Sequence, residues 1–462
     1  MLFNSFIFVF AFLPVTYGVF WALRSADARY RWLTVTGYFF YGWWDWRFCF
    51  LMLTSTVVSY WAGRLMLQWT DQPRRRLALT VPIVFDLMLL GFFKYANFGL
   101  ESARTGFAWL GIDLSIPHYN IILPVGISFY TFHTITYIVD CYRGVVTPTR
   151  NFFEFSCYVS LFSQLVAGPI VRFRQIEEDL VNLGRADRWR WFQRGISFFA
   201  IGMVEKVLVA DTLASFVDPM LAQYQTLSTA GAWVAVLGYT GQLYFDFSGY
   251  STMAVGLGYL FGVRIPQNFN SPYKALDPSD FWRRWHISLS TCLRDYVYIP
   301  LGGNRAGPSR TARNMMYTML IGGLWHGAAW TFVFWGAYHG ALLIGYRAIQ
   351  PAWDRWPAPL RQWLTFLAVV IGWVFFRSTS FGMAAQLLET MFLPTSGVMV
   401  VQPLLPAIAL IVALGWAMAG PNAFDLKHEF RWRGRLAIAA ALGAALAVVA
   451  GSRASPFLYF QF

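Results

Sequence analysis

Histidine is the residue type whose placement most suggests chemistry, because six histidines occur in a chain that is 57% hydrophobic. His326 lies in IGGLWHGAAW, residues 321–330, where every other side chain is apolar or absent. An ionisable group inside such a segment is a functional hypothesis by default. Its small neighbours Gly327 and Ala328 are expected to let a substrate approach. A neutral imidazole in a partly dry site suits general-base activation of a hydroxyl for acyl transfer. His286, next to two tryptophans in FWRRWHIS, is the second candidate.

The other four histidines favour structural interpretations. His118 and His428 lie in polar loops and are expected on the solvated surface. His133 lies among Tyr and Thr residues, which favours a hydrogen-bonded structural role. His339 follows His326 by 13 residues, about 220° around an unbroken helix, so the two would not share a face. We expect His339 to be a packing or polar-network residue.

No motif in the sequence indicates another chemistry. A GxSxG elbow, a Walker loop, an HExxH pair and a CxxC pair are all missing. Two histidines without nearby carboxylates make a weak metal site, so no metal is predicted. The four cysteines are expected to be buried apolar thiols. Arg283 or Arg284 could hold a phosphorylated donor such as a coenzyme A thioester.

The elements that must position these residues are membrane helices. Charged residues make up 13% of the chain, against about 25% in soluble proteins. We predict one polytopic all-α membrane domain over residues 1–462, with roughly a dozen spans or re-entrant helices. The net charge of +13 is better explained by basic loops than by nucleic-acid binding. The apolar segments are 4–23, 33–44, 48–67, 77–93, 121–139, 152–170, 195–213, 230–260, 315–346, 363–376, 404–419 and 434–450.

Basic residues next to the apolar segments predict the topology. Arg24, Arg29 and Arg31 follow the first segment, which lacks the features of a removed signal peptide. Another basic cluster, 74–76, follows the third segment, and a third cluster precedes the last. Cytoplasmic loops carry such clusters, so both chain termini are predicted on the outer side of the membrane.

The apolar segment 315–346 is too long for one simple span. A continuous helix of that length would run about 48 Å, whereas the bilayer core is about 30 Å thick. Five glycines make a break or close helix packing the expected solution. Broken backbone at membrane depth needs protein or a water-filled cavity around it, so we expect a cavity here. The glycines are 322, 323, 327, 336 and 340.

A second unusual stretch, residues 270–304, is amphipathic. Asp277 and Pro278 form a helix start, with Asp280 as the acid of the first turn. One helix is predicted to continue from there, with an apolar face of Trp282, Trp285, Leu289 and Leu293. It is too charged to span, so it is expected in the cytoplasmic interface or dipping into a cavity.

Several long segments of the chain resemble the membrane-bound O-acyltransferase family. The resemblance is closest to its bacterial branch that acetylates exopolysaccharides such as alginate or cellulose. It covers most of the chain. The segments that carry it are KYANFG, LPVGISFYTFHTITYIVDCYRG, LVAGPIVRF, YFDFSGYSTMAVGLG, NFNSPY, FWRRWHISLSTCLRDYVYIPLGGNR and GGLWHGAAWTFVFWGAYHG.

The resemblance implies a ring of helices around a central tunnel in the bacterial inner membrane. It implies that His326 is catalytic and that His286 lines the tunnel. Acetyl-CoA would be the donor. The implied partners are a periplasmic SGNH-type acetyltransferase, a polysaccharide synthesis or export complex, and membrane lipid. Further donor-site or tunnel residues carried over with the motifs are Asp246, Asn270, Trp285 and Trp325.

The C-terminal sequence SPFLYFQF, residues 455–462, has two interpretations. One is an aromatic anchor at the membrane interface. The other follows from its resemblance to the end of the small partner peptide of bacterial D-alanyl transfer systems, in which a tyrosine is thought to carry the acyl group. Tyr459 would then be an acyl carrier. A phenol, with a pKa near 10, leaves an ester more readily than an alkyl alcohol does.

Three alternatives to polysaccharide acetylation stay open at this stage. Another envelope glycan such as peptidoglycan could be the acceptor. A transporter would also have broken helices and intramembrane polar groups, but it predicts pseudo-symmetric halves and a charged pathway, and the sequence shows neither. A non-catalytic scaffold of an export complex would tolerate the loss of His326.

Overall fold

The computed structural model describes the chain except residues 114, 116, 118, 167, 186, 306, 400–403, 429–431, 452–457 and 459–462. Every regular element in that described part is helical, and a single isolated bridge joins Leu227 to Val398. The all-α prediction is therefore confirmed. His118 lies outside the described residues, so its predicted surface position stays a prediction.

Twenty α-helices follow one another along the described chain, with short π-helical and 3-10 turns between some of them. In chain order they are α1 Leu13–Ala22, α2 Ala26–Gly42, α3 Cys49–Gln68, α4 Gln72–Leu90, α5 Ala96–Trp109, α6 Ile127–Tyr142, α7 Phe152–Ser160, α8 Phe162–Leu165, α9 Phe173–Val181, α10 Arg188–Met203, α11 Asp211–Ala222, α12 Thr229–Leu260, α13 Pro278–Arg284, α14 Ile287–Leu293, α15 Pro308–His326, α16 Trp330–Trp353, α17 Ala358–Arg377, α18 Phe381–Phe392, α19 Leu404–Ala419 and α20 Trp432–Gly451.

Four helical stretches among the described residues are long and apolar enough to cross a membrane: Trp46–Gln68, Gln72–Trp109, Ala358–Arg377 and Trp432–Gly451. Phe8–Ala22 and Leu404–Ala419 are shorter apolar helices. Large apolar side chains such as Ile411 and Trp432 are exposed on these helices. In a bilayer this exposure places them against lipid. The chain is therefore a membrane protein, as its composition predicts.

The residues group into two compact units, so the prediction of one domain stays untested. The first unit comprises Met1–Phe192 and Leu257–Pro266. Its interior contains a buried carboxylate, Asp86, which accepts hydrogen bonds from Ser55 Oγ at 2.7 Å and Thr134 Oγ1 at 2.6 Å. These hydroxyls offset part of the cost of burying the carboxylate.

The second unit comprises Gln193–Gly256 and Gln267–Phe462, and it contains all the candidate site residues that the structure describes. Its central feature is a helical hairpin. Helix α15 ends at His326 and α16 begins at Trp330, with Gly327 and Ala329 in extended conformations between them. The predicted break in segment 315–346 is therefore confirmed, and it falls directly after His326.

Glycines let the two helices of the hairpin approach closely. A Cβ atom on Gly323 would lie 2.3 Å from the Phe332 carbonyl oxygen, and one on Gly336 would lie 2.3 Å from the Met319 carbonyl oxygen. Both distances are far inside van der Waals contact, so only glycine fits at either position without displacing backbone. Close packing through small residues is the usual way in which membrane helices associate.

Replacing Gly336 with alanine should destabilise the second unit, because the new methyl group meets Met319 backbone rather than a movable side chain. We expect a loss of about 1–3 kcal/mol in unfolding free energy. Gly345→Ala on the same helix is the control, since a Cβ there meets nothing within 4 Å. Thermal unfolding in detergent measures both variants. Equal midpoints for the two would show that the hairpin does not depend on this approach.

Candidate active site

His326 is the last residue of α15, and its side chain is buried. Its ring centroid lies 5.0 Å from that of Trp325, 5.1 Å from that of Trp335 and 5.4 Å from that of Phe376. The Trp335 and Phe376 rings meet the imidazole nearly edge-on, at interplanar angles of 89° and 73°. These aromatic neighbours surround the imidazole with apolar surface, which limits the access of water to it.

His286 lies at an unpredicted break between two short helices. Helix α13 ends at Arg284 and α14 begins at Ile287, and the His286 backbone between them is left-handed, with φ of 43°. The prediction of one continuous amphipathic helix is therefore wrong beyond Arg284. The predicted start is confirmed, because the Asp277 side chain accepts from the Asp280 backbone N–H at 2.7 Å and Pro278 is the first helical residue.

The break arises because Asn268 takes over hydrogen bonds that a continuous helix would make itself. Its backbone oxygen accepts from the Ile287 N–H at 2.9 Å, and its side-chain oxygen accepts from the Ser288 N–H at 3.1 Å. The same side-chain oxygen lies 3.2 Å from His286 Nδ1. Asn268 thus caps α14 from another part of the chain and holds the imidazole at the turn.

The two imidazoles form a pair in the interior of the second unit. Their ring centroids are 6.2 Å apart, and Trp325 contacts both rings. This separation is too long for a direct nitrogen–nitrogen hydrogen bond between the two rings. In the described part of the chain, no group of three or more His, Cys, Asp or Glu side chains is placed to hold a metal ion. The pair is suited to proton transfer.

The glycines around His326 serve packing rather than substrate access. Small neighbours of His326 suggested open space for a substrate, but a Cβ on Gly327 would lie 2.2 Å from the Phe332 ring. Gly323 is filled in the same way by the backbone of α16. That expectation is therefore wrong for these two residues. A cavity at the break itself stays a prediction, since the cavities that the structure defines in this unit have other linings.

The two candidate donor-binding arginines have different surroundings. Arg284 is half-buried and donates to Asp280 Oδ2 at 2.9 Å and to the Asn270 carbonyl at 3.3 Å. Arg283 is 66% exposed, with Asp280 at 3.6 Å. Asn270 also donates its backbone N–H to the Arg284 carbonyl and accepts from Asn422 Nδ2 at 3.2 Å. Arg284 and Asn270 therefore hold the loop together, whereas Arg283 is accessible to a ligand.

Trp285 and Trp325 both lie close to the histidine pair, in different ways. Trp325 packs against both imidazoles. Trp285 is fully buried against Trp373 and Phe269, at centroid distances of 4.8 and 5.0 Å. His339 is buried too, and its ring packs on the Trp335 ring, with centroids 4.9 Å apart. It therefore belongs to the same aromatic cluster but does not share a helix face with His326. The packing role predicted for His339 is confirmed.

Asp246 belongs to a buried ionic cluster. Lys206 Nζ lies 2.5 Å from Asp246 and 2.8 Å from Asp211, and both Lys206 and Asp246 are almost completely buried. The second Asp246 oxygen accepts from the Leu458 backbone N–H at 2.9 Å. Leu458 is itself buried. Leu458 is the one described residue of the segment 455–462, and it is bound to Asp246, while Tyr459 lies outside the described residues.

His428 is not on the solvated surface, so that prediction is wrong. Its Nδ1 lies 2.8 Å from Ser197 Oγ and its Nε2 lies 2.8 Å from the Ala423 carbonyl oxygen. Its ring stacks on Phe198 with centroids 3.8 Å apart. The polar sequence around His428 gave no sign of this pairing, because Ser197 lies 231 residues away in the chain.

Two important side chains were missed by sequence reasoning. Asn268 lies in NFNSPY, where Asn270 was chosen instead, and nothing local distinguishes the two asparagines. Lys206 lies in the apolar run VEKVLVA and could have been found, because a lysine at membrane depth requires an anionic partner. Asp246, in a later apolar run, was the available carboxylate.

Comparisons with known proteins show the family to which the chain belongs. Residues 146–383 match the model of the MBOAT, or membrane-bound O-acyltransferase, family. The chain is 44% identical over 396 residues to a "Probable alginate O-acetylase" of Azotobacter vinelandii, covering 85% of this chain and 78% of that relative. The corresponding protein of Pseudomonas aeruginosa is 45% identical over 394 residues, covering 85% and 75%. A "Peptidoglycan O-acetyltransferase" of Helicobacter pylori is 36% identical over 424 residues, covering 85% and 80%.

Proposed function

Since the chain belongs to the membrane-bound O-acyltransferase family and is an enzyme of that class, we propose that it acetylates an extracytoplasmic polysaccharide. Acetyl groups come from cytoplasmic acetyl-CoA and cross the bacterial inner membrane through this protein. Such a step is needed because coenzyme A is cytoplasmic whereas the polymer is outside. The single observation that carries the proposal is the buried pair of His286 and His326 at two helix breaks.

The chemistry assigned to the pair is acyl transfer with proton exchange. His326 takes the proton of an acceptor hydroxyl, and the hydroxyl oxygen attacks the thioester carbon of acetyl-CoA. The carbon–sulfur bond then breaks, and the imidazolium of His326 returns its proton to the departing thiolate. The products are an acetyl ester and free coenzyme A. The aromatic surroundings of His326 keep water from competing with the acceptor.

Arg283 is the proposed contact for the phosphate groups of the donor. Its side chain is largely exposed. Arg283 precedes Trp285 by two residues, next to the break that carries His286. Arginine binds phosphate by bidentate hydrogen bonds. Arg284, which is occupied by Asp280 and Asn270, instead stabilises the loop that positions His286.

Alginate is the acceptor polymer that we propose first, because the relatives most similar in sequence carry that activity in their names. Acetylated cellulose is a second polymer of the same kind. The Helicobacter relative named for peptidoglycan specifically supports a second candidate function, acetylation of that glycan. In each case a periplasmic SGNH-type transferase is the proposed partner that places the acetyl group on the polymer, within a synthesis or export complex.

The C-terminal tail is proposed to carry the acetyl group to that partner. Leu458 is buried and bound to Asp246, which supports a tail that enters the protein rather than one that lies in the membrane interface. Tyr459 follows directly. Its phenol would accept acetyl at the histidine pair, and the resulting tyrosyl ester is reactive enough to pass the group on.

Tyr459→Phe tests the carrier step. After exposure of the purified protein to acetyl-CoA, we expect the parent chain to gain the mass of one acetyl group, which peptide mapping places on Tyr459. The variant should gain none, because phenylalanine lacks the phenolic oxygen that would accept the acetyl group. Intact-protein mass spectrometry measures the adduct.

Tyr346→Phe is the matched control, since Tyr346 has a phenol in the same unit but lies far along α16 from the break. It should acquire the acetyl group as the parent does. If the parent turns over acetyl-CoA and yet shows no adduct, the tail is an anchor rather than a carrier. If the parent does not release coenzyme A with any acceptor, the proposed function itself is wrong.

A further inference from the structure

Two non-glycine residues of the described chain have left-handed backbones, and His286 is one of them, with φ of 43°. This conformation is unfavourable for a residue with a side chain. It persists only when surrounding contacts fix it. The contacts that do so at His286 converge on a single side chain, Asn268, which is buried.

Asn268 Oδ1 is a shared acceptor at the start of α14. It accepts from the Ser288 backbone N–H at 3.1 Å and from Ser288 Oγ at 2.8 Å, and it lies 3.2 Å from His286 Nδ1. The amide nitrogen, Nδ2, donates to Ser251 Oγ at 3.2 Å. All four contacts are buried, so bulk water does not compete with them.

These contacts determine which way the Asn268 amide faces. A backbone N–H can only donate, so the group facing the Ser288 N–H must be the amide oxygen. Turning the amide over would place its NH₂ group against that N–H and would leave two buried donors opposed. The contact to Ser251 is compatible with this orientation, because the hydroxyl oxygen can accept from the amide NH₂ group.

The amide orientation in turn determines the tautomer of His286. An amide oxygen only accepts, so His286 Nδ1 must carry the hydrogen that is shared with it. The neutral ring then has its lone pair on Nε2. That atom is buried and makes no hydrogen bond to any residue in the described part of the chain. The histidine pair thus offers at least one lone pair that is not engaged by a described residue.

We propose that Asn268 is a positioning residue that holds His286 as the Nδ1–H tautomer and presents its Nε2 lone pair to a hydroxyl-bearing acceptor. This role rests on the proposed function of the histidine pair. Nε2 accepts the hydrogen bond of the hydroxyl while the acceptor binds and that of the product thiol after transfer, whereas the hydroxyl proton itself passes to His326 in the reaction. Asn268 itself touches neither substrate.

A double-mutant cycle in the full-length enzyme separates positioning from general structural support. Asn268→Ala should lower the rate of coenzyme A release by about 10- to 100-fold in the parent. In a His286→Ala background it should lower the rate by less than about threefold, because its effect passes through that imidazole. Equal losses in both backgrounds would overturn the proposal.

The rate–pH profile of Asn268→Asp is a measurement that a merely structural role of Asn268 would leave unchanged. It keeps an acceptor oxygen at the same place, so the loop should fold, but its negative charge favours the imidazolium of His286. His286 is then protonated at higher pH, which removes the Nε2 lone pair that binds the acceptor, so the acidic limb of the rate–pH profile should move up by about one pH unit. An unmoved limb contradicts the proposal.

Asn314→Ala is the matched structural control, because Asn314 is equally buried and donates to two loop carbonyls but contacts no histidine. Its pH profile should match that of the parent.

The tautomer is also measurable without turnover, from the ¹⁵N chemical shifts of protein labelled at its histidines. The His286→Ala variant identifies which signal belongs to His286. A His286 signal from the Nε2–H tautomer overturns the positioning role even if the enzyme is active. An inactive parent with the Nδ1–H tautomer instead counts against the proposed function.

Discussion

His326→Ala should reduce acetyl-CoA-dependent coenzyme A release by about 10²- to 10⁴-fold, the range that a general base contributes. The imidazole is placed at the end of α15, enclosed by three aromatic rings and 6.2 Å from the ring of His286. Alanine removes the proton acceptor but leaves the helix end in place, since alanine favours helix. Initial rates with purified protein, donor and acceptor measure the effect.

His339→Ala is the control for the loss of a buried imidazole. His339 packs on Trp335, which also contacts His326, so its removal disturbs the same aromatic cluster without removing the proposed base. Its rate should stay within about tenfold of the parent rate. If both variants retain similar turnover, His326 is not the base, and an export scaffold or transporter becomes the better account. If both are equally inactive, the cluster rather than the imidazole controls the rate.

Lys206→Ala should be the most destabilising substitution considered, at about 3–5 kcal/mol of unfolding free energy. It leaves Asp246, 2% exposed in its side chain, and Asp211 without the ammonium group that lies between them. An uncompensated buried carboxylate is costly, and Asp246 also holds the Leu458 N–H. The midpoint of thermal unfolding in detergent should fall, and the C-terminal tail should become more sensitive to carboxypeptidase.

Arg31→Ala is the exposed counterpart. Arg31 lies 2.7 Å from Asp27, a distance similar to those in the buried cluster, but both side chains are about half exposed. An exposed pair of this kind contributes little to stability, because water screens its charges. The double variant Lys206→Ala, Asp246→Ala should recover part of the stability lost by Lys206→Ala alone, because it removes the unpaired charge. Equal destabilisation by Arg31→Ala and Lys206→Ala would contradict the assigned burial cost.

The features that sequence reasoning predicted are those with local causes. The break after His326 follows from a segment too long for the membrane and rich in glycine. The start at Asp277 follows from capping chemistry within four residues. The packing role of His339 follows from its angular offset along a helix.

The features that were missed depend on residues far apart in the chain. The break at His286 needs Asn268, which lies 18 positions earlier and competes successfully for the backbone donors of α14. His428 is half-buried because Ser197 and Ala423 meet it. Gly327 was assigned to substrate access, but tertiary packing fills its free space with Phe332. No local pattern records such partners.

The hairpin of α15 and α16 also affects how the protein enters its membrane during synthesis. Neither helix is among the described stretches that are apolar enough to cross a bilayer on their own, and α15 carries Arg310 and Arg313 in its first turns. A segment of this kind partitions poorly from the translocon into lipid by itself. Tyr338 of α16 donates to the Ala368 carbonyl of α17, a helix that is apolar enough. The part of the chain that carries His326 is therefore expected to insert only once α17 has emerged from the ribosome, so synthesis of the proposed active site and its insertion are separate events.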